Sequence, residues 1–82
     1  MINARQIRAA RALLGLNQGE LAALAGVAKK TVYRLEGAGE QITGSVRTLW
    51  KLQTALEEAG IVFIDRGTEL GLGVRLRDPS VW

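Results

Sequence analysis

The stretch from residue 16 to residue 37 constrains the fold most, because local signals in it define two short helices joined by a tight turn. Asn17 is a favourable N-cap, and Glu20 completes a capping box and places a negative charge near the positive end of the helix dipole. Gly26 supplies the left-handed backbone conformation at which helices commonly end. We therefore predict a helix over 18–25, followed by a sharp turn.

The next helix is predicted over 29–36, with one buried stripe. Val32 and Leu35 lie three positions apart and therefore share a face. Ala28 precedes the helix and offers no side-chain oxygen, so we expect the helix start to fray or to use a water molecule or Thr31 as its cap. The polar side chains fall on the rest of the helix surface, where we expect them to be exposed: Lys29, Lys30, Tyr33 and Arg34.

This segment resembles the Cro/repressor-type (XRE-like) helix-turn-helix family. The resemblance is strong from Leu14 or Leu16 through Glu36, and it continues more weakly from about Ala4 to Gly60. The positions that match the family pattern are Gln18, Leu21, Ala22, Gly26, Val27, Thr31, Val32, Leu35 and Glu36.

The resemblance implies a mainly α fold, a lambda-repressor-like helix-turn-helix bundle of about four helices. It also implies a sequence-specific, DNA-binding transcriptional regulator, a dimeric repressor that reads the major groove of double-stranded DNA with its third helix. An antitoxin-type autorepressor that also binds a toxin protein is one alternative, and a protein-interaction module that keeps the fold without reading DNA is another. The chain departs from the family at Ala28, where a Ser or Thr usually caps the recognition helix.

The same resemblance implies which side chains meet DNA. Gln18, in the first turn of its helix, is placed to meet a phosphate or a base edge. Lys29 and Lys30 correspond to residues that enter the major groove, where lysine donates to guanine O6 and N7, although either lysine can instead contact phosphate alone. The predicted DNA-binding residues are Asn17, Gln18, Lys29, Lys30, Thr31, Tyr33 and Arg34. An ordinary solvated surface is the alternative for each of them.

Arg11 and Glu36 have an implied structural role. At the corresponding family positions, an arginine of the first helix and the glutamate that ends the third form an internal bridge. A catalytic ion pair is the alternative interpretation, and we expect the structural one.

The charges are unevenly distributed along the chain. Residues 1–36 hold six cations against two acids, a net +4, whereas residues 37–82 hold five cations against six acids, a net −1, which gives the overall +3. Such an asymmetry steers the basic half toward a polyanion. A solvated basic face is the alternative.

Composition excludes several classes of protein. The chain has no cysteine and no histidine, which excludes disulfide frameworks, zinc fingers and nucleophiles that depend on Cys or His. We therefore expect no enzymatic activity, no cofactor and no metal. No segment approaches the roughly 18 consecutive apolar residues of a membrane span, so we expect a soluble, cytoplasmic protein. At 82 residues, the chain would gain stability from forming a homodimer.

Two more helices flank the central pair. Asn3 caps the predicted first helix and Gly15 ends it, while Ser45 or Thr43 caps the fourth and Gly60 ends that one. Their apolar stripes are Ile7, Ala10 and Leu14 in the first, and Leu49, Leu52, Leu56 and Ala59 in the fourth. We expect Trp50 to pack at the edge of the second stripe, beneath the strands that follow. The loop at 38–44 carries no cation, which argues against minor-groove reading there, although Thr43 and Ser45 offer hydroxyls to phosphate.

The pattern changes to two strands after Gly60. Residues 61–64 are apolar on both faces, and residues 73–77 alternate until Pro79 ends the strand, so we predict a C-terminal β-hairpin. We expect a DNA-binding domain at 1–60 and, in the same compact unit, a dimerisation element at 61–82. A strand that is apolar on both faces must be buried on both sides. The fourth helix can cover one face, and a second chain is a candidate for the other. The predicted dimer residues are Ile61, Val62, Phe63, Ile64, Val74 and Leu76, with the exposed side of the fourth helix as the competing surface.

Overall fold

A computed structural model of the chain describes residues 2–37, 45–65, 67 and 71–77. The predicted fold class, a mainly α helix-turn-helix bundle with a C-terminal β-hairpin, is confirmed. Within the described residues, four helices precede two antiparallel strands: α1 (Ala4–Leu14), α2 (Gln18–Ala25), α3 (Lys29–Glu36), α4 (Val46–Glu58), β1 (Ile61–Ile64) and β2 (Gly73–Leu76).

Helices α1 and α2 are bounded by the same local chemistry. Asn3 and Asn17 each accept from a backbone N–H three residues on, and the side chains of Gln6 and Glu20 return a hydrogen bond to the cap backbone. Both helices end at a glycine in the left-handed conformation, Gly15 with φ 70° and Gly26 with φ 72°. Local residues therefore set where α1 and α2 begin and end.

Helices α3 and α4 begin differently. Ala28 makes no side-chain cap, and α3 nevertheless starts at Lys29, with the backbone N–H of Thr31 donating to the Ala28 carbonyl at 2.9 Å. Ser45 caps α4, because its Oγ accepts from the Thr48 N–H at 3.1 Å. The other candidate cap, Thr43, lies outside the described residues, as do the other positions of 38–44, for which the sequence predicted a loop.

The core lies where α1, α2, α3 and α4 converge. Its largest fully buried side chains are Ile7, Leu21, Val32, Leu52, Leu56 and Ile61. Two sequence predictions for α4 are wrong. Ala59 is exposed because the helix ends at Glu58, and Ala55 is buried in the stripe instead. Trp50 is 65% exposed, because its position on the helix turns the indole away from the core rather than under the hairpin.

The hairpin covers the core with one of its two faces. Ile61 pairs with Leu76 and Phe63 with Val74, so these four side chains share a face. Ile61 is buried, and the other three pack against the core, with β1 on α4 and β2 on α1. Strand β2 ends at Leu76, one residue before the predicted end, and Pro79 lies outside the described residues.

Gln6 fastens the hairpin to α1. Its amide nitrogen donates to the carbonyls of Ile64 and Gly73, at 3.1 Å each, and its Oε1 accepts from the backbone N–H of Asn3 at 3.1 Å. The side chain is only 3% exposed. One buried amide therefore connects the N-terminus of α1 to both strands at the end of their ladder, a role that its place in a capping box did not reveal.

We predict that Gln6→Ala lowers the free energy of unfolding by about 1–3 kcal/mol, because it leaves buried polar groups without their partner. Urea denaturation measures this loss, and hydrogen exchange at the amides of β1 and β2 should accelerate with it. Gln53→Ala, at a half-buried glutamine of α4, is the matched control. Equal losses in the two variants would remove the special role of Gln6.

Candidate nucleic-acid interface

Helix α3 is held by its apolar side and presents its polar side outward. Val32 is 0% and Leu35 3% exposed, and they fix the helix against α1 and α2. On the opposite side Tyr33 is 67% exposed. Lys29, Lys30 and Arg34 are exposed as well, whereas Thr31 is half-buried. The outer surface of α3 therefore offers three cations and a phenol to a partner.

The first turn of α2 lies directly beside the start of α3. A Cβ added to Gly19 would lie 3.7 Å from Cδ of Lys29 and 3.4 Å from Oδ1 of Asn17, so the lysine stem crosses the α2 N-terminus. The Asn17 oxygen accepts from the Glu20 N–H at 2.8 Å, which leaves its amide nitrogen as the group that the cap does not use. A cation and a helix N-terminus, both attractive to an anion, are thus adjacent.

The carboxylate of Glu36 lies behind this surface and is paired with Arg11. The guanidinium donates from Nε to Oε2 at 2.9 Å and from Nη2 to Oε1 at 2.8 Å, and its Nη1 donates to the Leu16 carbonyl at 3.1 Å. Glu36 is 4% and Arg11 23% exposed. The hydrogen bond to Glu36 raises the pKa of Arg11, desolvation opposes that rise, and attraction to the carboxylate adds to it. The bidentate geometry joins α1 to the end of α3.

Two further side chains converge on Glu36. Gln18 donates from Nε2 to Oε1 of the carboxylate at 3.1 Å, and Arg8 donates from Nη1 to the Glu36 backbone carbonyl. Because an ionised carboxylate only accepts hydrogen bonds, the amide nitrogen of Gln18 must face it, which turns the amide oxygen away. Sequence reasoning gave Arg8 no individual role, although its spacing of three from Arg11 places both on one side of α1.

Two adjoining open concavities run over this network. The first is lined by Arg8, Arg11, Gln18, Tyr33, Arg34, Glu36 and Gly37, and the second by Arg11, Asn17, Gln18, Gly19 and Lys29. The two concavities share Arg11 and Gln18, and five of the predicted DNA-binding residues line one or both of them. The other two predicted residues, Lys30 and Thr31, line neither.

A helix-turn-helix family model matches residues 7–59, more than half of the chain. The chain belongs to the Cro/repressor-type (XRE-like) helix-turn-helix family. It is thus a DNA-binding regulator of the XRE type. The match includes the whole of α2 and α3, together with Arg8 and Arg11. No curated protein matches the sequence well enough to count as a relative.

In the described part of this helix-turn-helix protein, no helix combines the length and apolar character that crossing a membrane requires. Within the same residues, no group of three or more His, Cys, Asp or Glu side chains is arranged to hold a metal ion.

We predict that Glu36→Ala lowers the free energy of unfolding by about 3 kcal/mol, because it leaves the partly buried Arg11 without its carboxylate. Thermal and urea denaturation measure the loss. Glu58→Ala removes an exposed glutamate and should change stability by less than about 0.5 kcal/mol.

The double variant Arg11→Met with Glu36→Leu separates the ion pair from helix packing. It should recover much of the stability, since apolar residues of similar volume often replace a buried pair at little cost. A Glu36→Ala protein as stable as the unmodified chain would contradict the structural role of the pair.

Proposed function

We propose that the protein is a dimeric transcriptional repressor that reads a specific DNA sequence in the major groove with α3. The observation that carries this proposal is the two-sided character of α3, with Val32 and Leu35 buried and the cations Lys29, Lys30 and Arg34 exposed. A helix docked in this way can enter the major groove, which admits one α-helix. By occupying promoter DNA, the protein blocks access to it.

The proposed contacts divide into positioning and reading. The first turn of α2, with Asn17 and Gln18, lies against the phosphate backbone and sets the register of the protein on the duplex. Lys29 and Lys30 donate to guanine O6 and N7. Farther along α3, Thr31, Tyr33 and Arg34 complete the surface, with Arg34 placed for a phosphate or a second guanine. Because both lysines are exposed, they can contact DNA without a change in the position of α3.

Gln18 receives a fixed orientation from the Glu36 carboxylate. Its Nε2 donates to Oε1 of Glu36 at 3.1 Å, which restrains the rotation of its amide. One N–H and the amide oxygen are then available to DNA. A side chain held before binding loses less conformational entropy when it makes its contact.

The proposed repressor acts as a dimer of two identical chains. Helix-turn-helix dimers read two half-sites about 34–36 Å apart, which requires two recognition helices at a fixed spacing. The hairpin interface stays a prediction. Its outer face carries Val62 and Ile64, while the other four predicted dimer residues lie on the face that covers the protein's own core. The exposed side of α4 is the competing surface.

We predict that replacing Lys29, Lys30 and Arg34 by alanine weakens binding to the selected operator by more than about 100-fold, because base-edge and phosphate contacts are lost together. The operator is first selected from a random pool of duplexes. Fluorescence anisotropy across a salt series then measures affinity, and the slope of log K against log salt should fall by about 0.9 for each phosphate contact removed.

The matched control replaces Arg5, Lys51 and Arg75 by alanine. It removes the same total charge from elements other than α3. Circular dichroism checks that both triple variants remain helical. If the α3 variant kept its operator affinity, or if the control lost as much, recognition by α3 would be excluded.

A further inference from the structure

Helix α4 carries a stripe of four residues on the side opposite the core. Arg47, Trp50, Thr54 and Glu57 follow one another at spacings of three, four and three, so they lie along one line of the helix. Trp50 is 65% exposed, Arg47 and Glu57 are exposed, and Thr54 is half-buried. We call these four residues the α4 stripe. Val46, also 65% exposed, lies one turn before Trp50 and extends its apolar surface.

The α4 stripe is complementary to itself when a copy runs in the opposite direction. It has a cation in the first turn, an indole and a small residue near the middle, and an anion in the last turn. Arg47 and Glu57 are equally distant from the midpoint of the stripe, and so are Trp50 and Thr54. An antiparallel two-fold pairing therefore places Arg47 against Glu57 of the partner subunit, and Trp50 against Thr54 of the partner subunit.

We propose that a second copy of this chain docks on the α4 stripe as an antiparallel helix pair about a two-fold axis. A two-fold interface uses the same patch on both subunits and so must be self-complementary, which the stripe is in charge and in side-chain size. Thr54 leaves room for the indole opposite it. This proposal rests on the proposed function in one respect: a protein that reads paired half-sites needs two recognition helices held together.

The hairpin is the weaker candidate for this role. Ile61, Phe63, Val74 and Leu76 already cover the protein's own core, and the outer face presents Arg75 between Val62 and Ile64. Two copies of that face would bring like charges toward each other. The α4 stripe instead pairs opposite charges, and its residues are separate from the cations on α3, so that dimerisation leaves the recognition surface free.

The dimer is expected to be modest in strength. Helix α4 has 13 residues and is therefore about 20 Å long, which limits the area that a pair of such helices buries. Binding of two subunits to paired half-sites raises their effective concentration and strengthens the association. Sedimentation velocity over a dilution series, with and without a palindromic operator duplex, is therefore the suitable measurement.

The decisive experiment is mutual rescue of two charge reversals. Arg47→Glu and Glu57→Arg, each alone, place like charges across the interface and should raise the dimer dissociation constant at least about tenfold. An equimolar mixture of the two single variants should dimerise again, because both cross-subunit pairs are then of opposite sign. The double variant should dimerise as well. Trp50→Ala should weaken the dimer without changing helicity.

Glu58→Arg is the matched control, because it reverses the same charge one position away, on the flank of the helix. It should leave the dissociation constant within about twofold of the unmodified chain. The outer-face variant Val62→Lys with Ile64→Lys should also leave the dimer intact.

The α4 interface is overturned if the mixture of single variants stays monomeric. It is also overturned if only the Val62 and Ile64 variant dissociates the dimer, or if the unmodified chain is monomeric at every concentration and binds the palindrome one to one. Half-site affinity is measured on the same samples. Variants that dimerise as expected but bind no DNA overturn the proposed function and leave the α4 interface standing.

Discussion

The carboxylate of Glu36 is the group on which the arrangement of α1, α2 and α3 depends. It ends α3, accepts two hydrogen bonds from Arg11 of α1 and one from Gln18 of α2, and is almost fully buried. Arg8 adds a bond to the carbonyl of the same residue. A buried charge is costly unless it is paired in good geometry, so this site favours one relative placement of the three helices. The angle between α2 and α3 follows from it.

That placement also determines how the polar side of α3 is exposed. Val32 and Leu35 bury one side of α3 in the core, and Glu36 fixes the end of the helix. The N-terminus of α2 lies against Lys29. The hairpin depends on a second buried polar residue, Gln6, which bonds both strands to α1. In each case one long polar side chain joins segments that are distant in sequence. The apolar core supplies most of the driving force, while these two residues select the geometry.

The sequence predicted the helix boundaries well because caps and left-handed glycines act over a few residues, as at Asn17 and Gly26. It failed where distant packing decides the outcome. The burial of Ala55 in place of Ala59, and the exposure of Trp50, depend on where α4 ends and how it faces α2. Resemblance to a family suggested the pairing of Arg11 with Glu36, whereas the bond from Gln18 to Glu36 needs the folded turn. The DNA contacts themselves stay predictions.

The most direct measurement is an NMR titration of the ¹⁵N-labelled protein with a duplex that contains a single half-site selected from random DNA. Because one half-site binds one subunit, changes at the dimer interface do not contribute. The account predicts that the largest amide shifts occur in the first turn of α2 and along the exposed side of α3, at Lys29, Lys30 and Arg34, with little change in β1 and β2. Shifts centred on the hairpin or on the outer side of α4, with α3 unchanged, would contradict it.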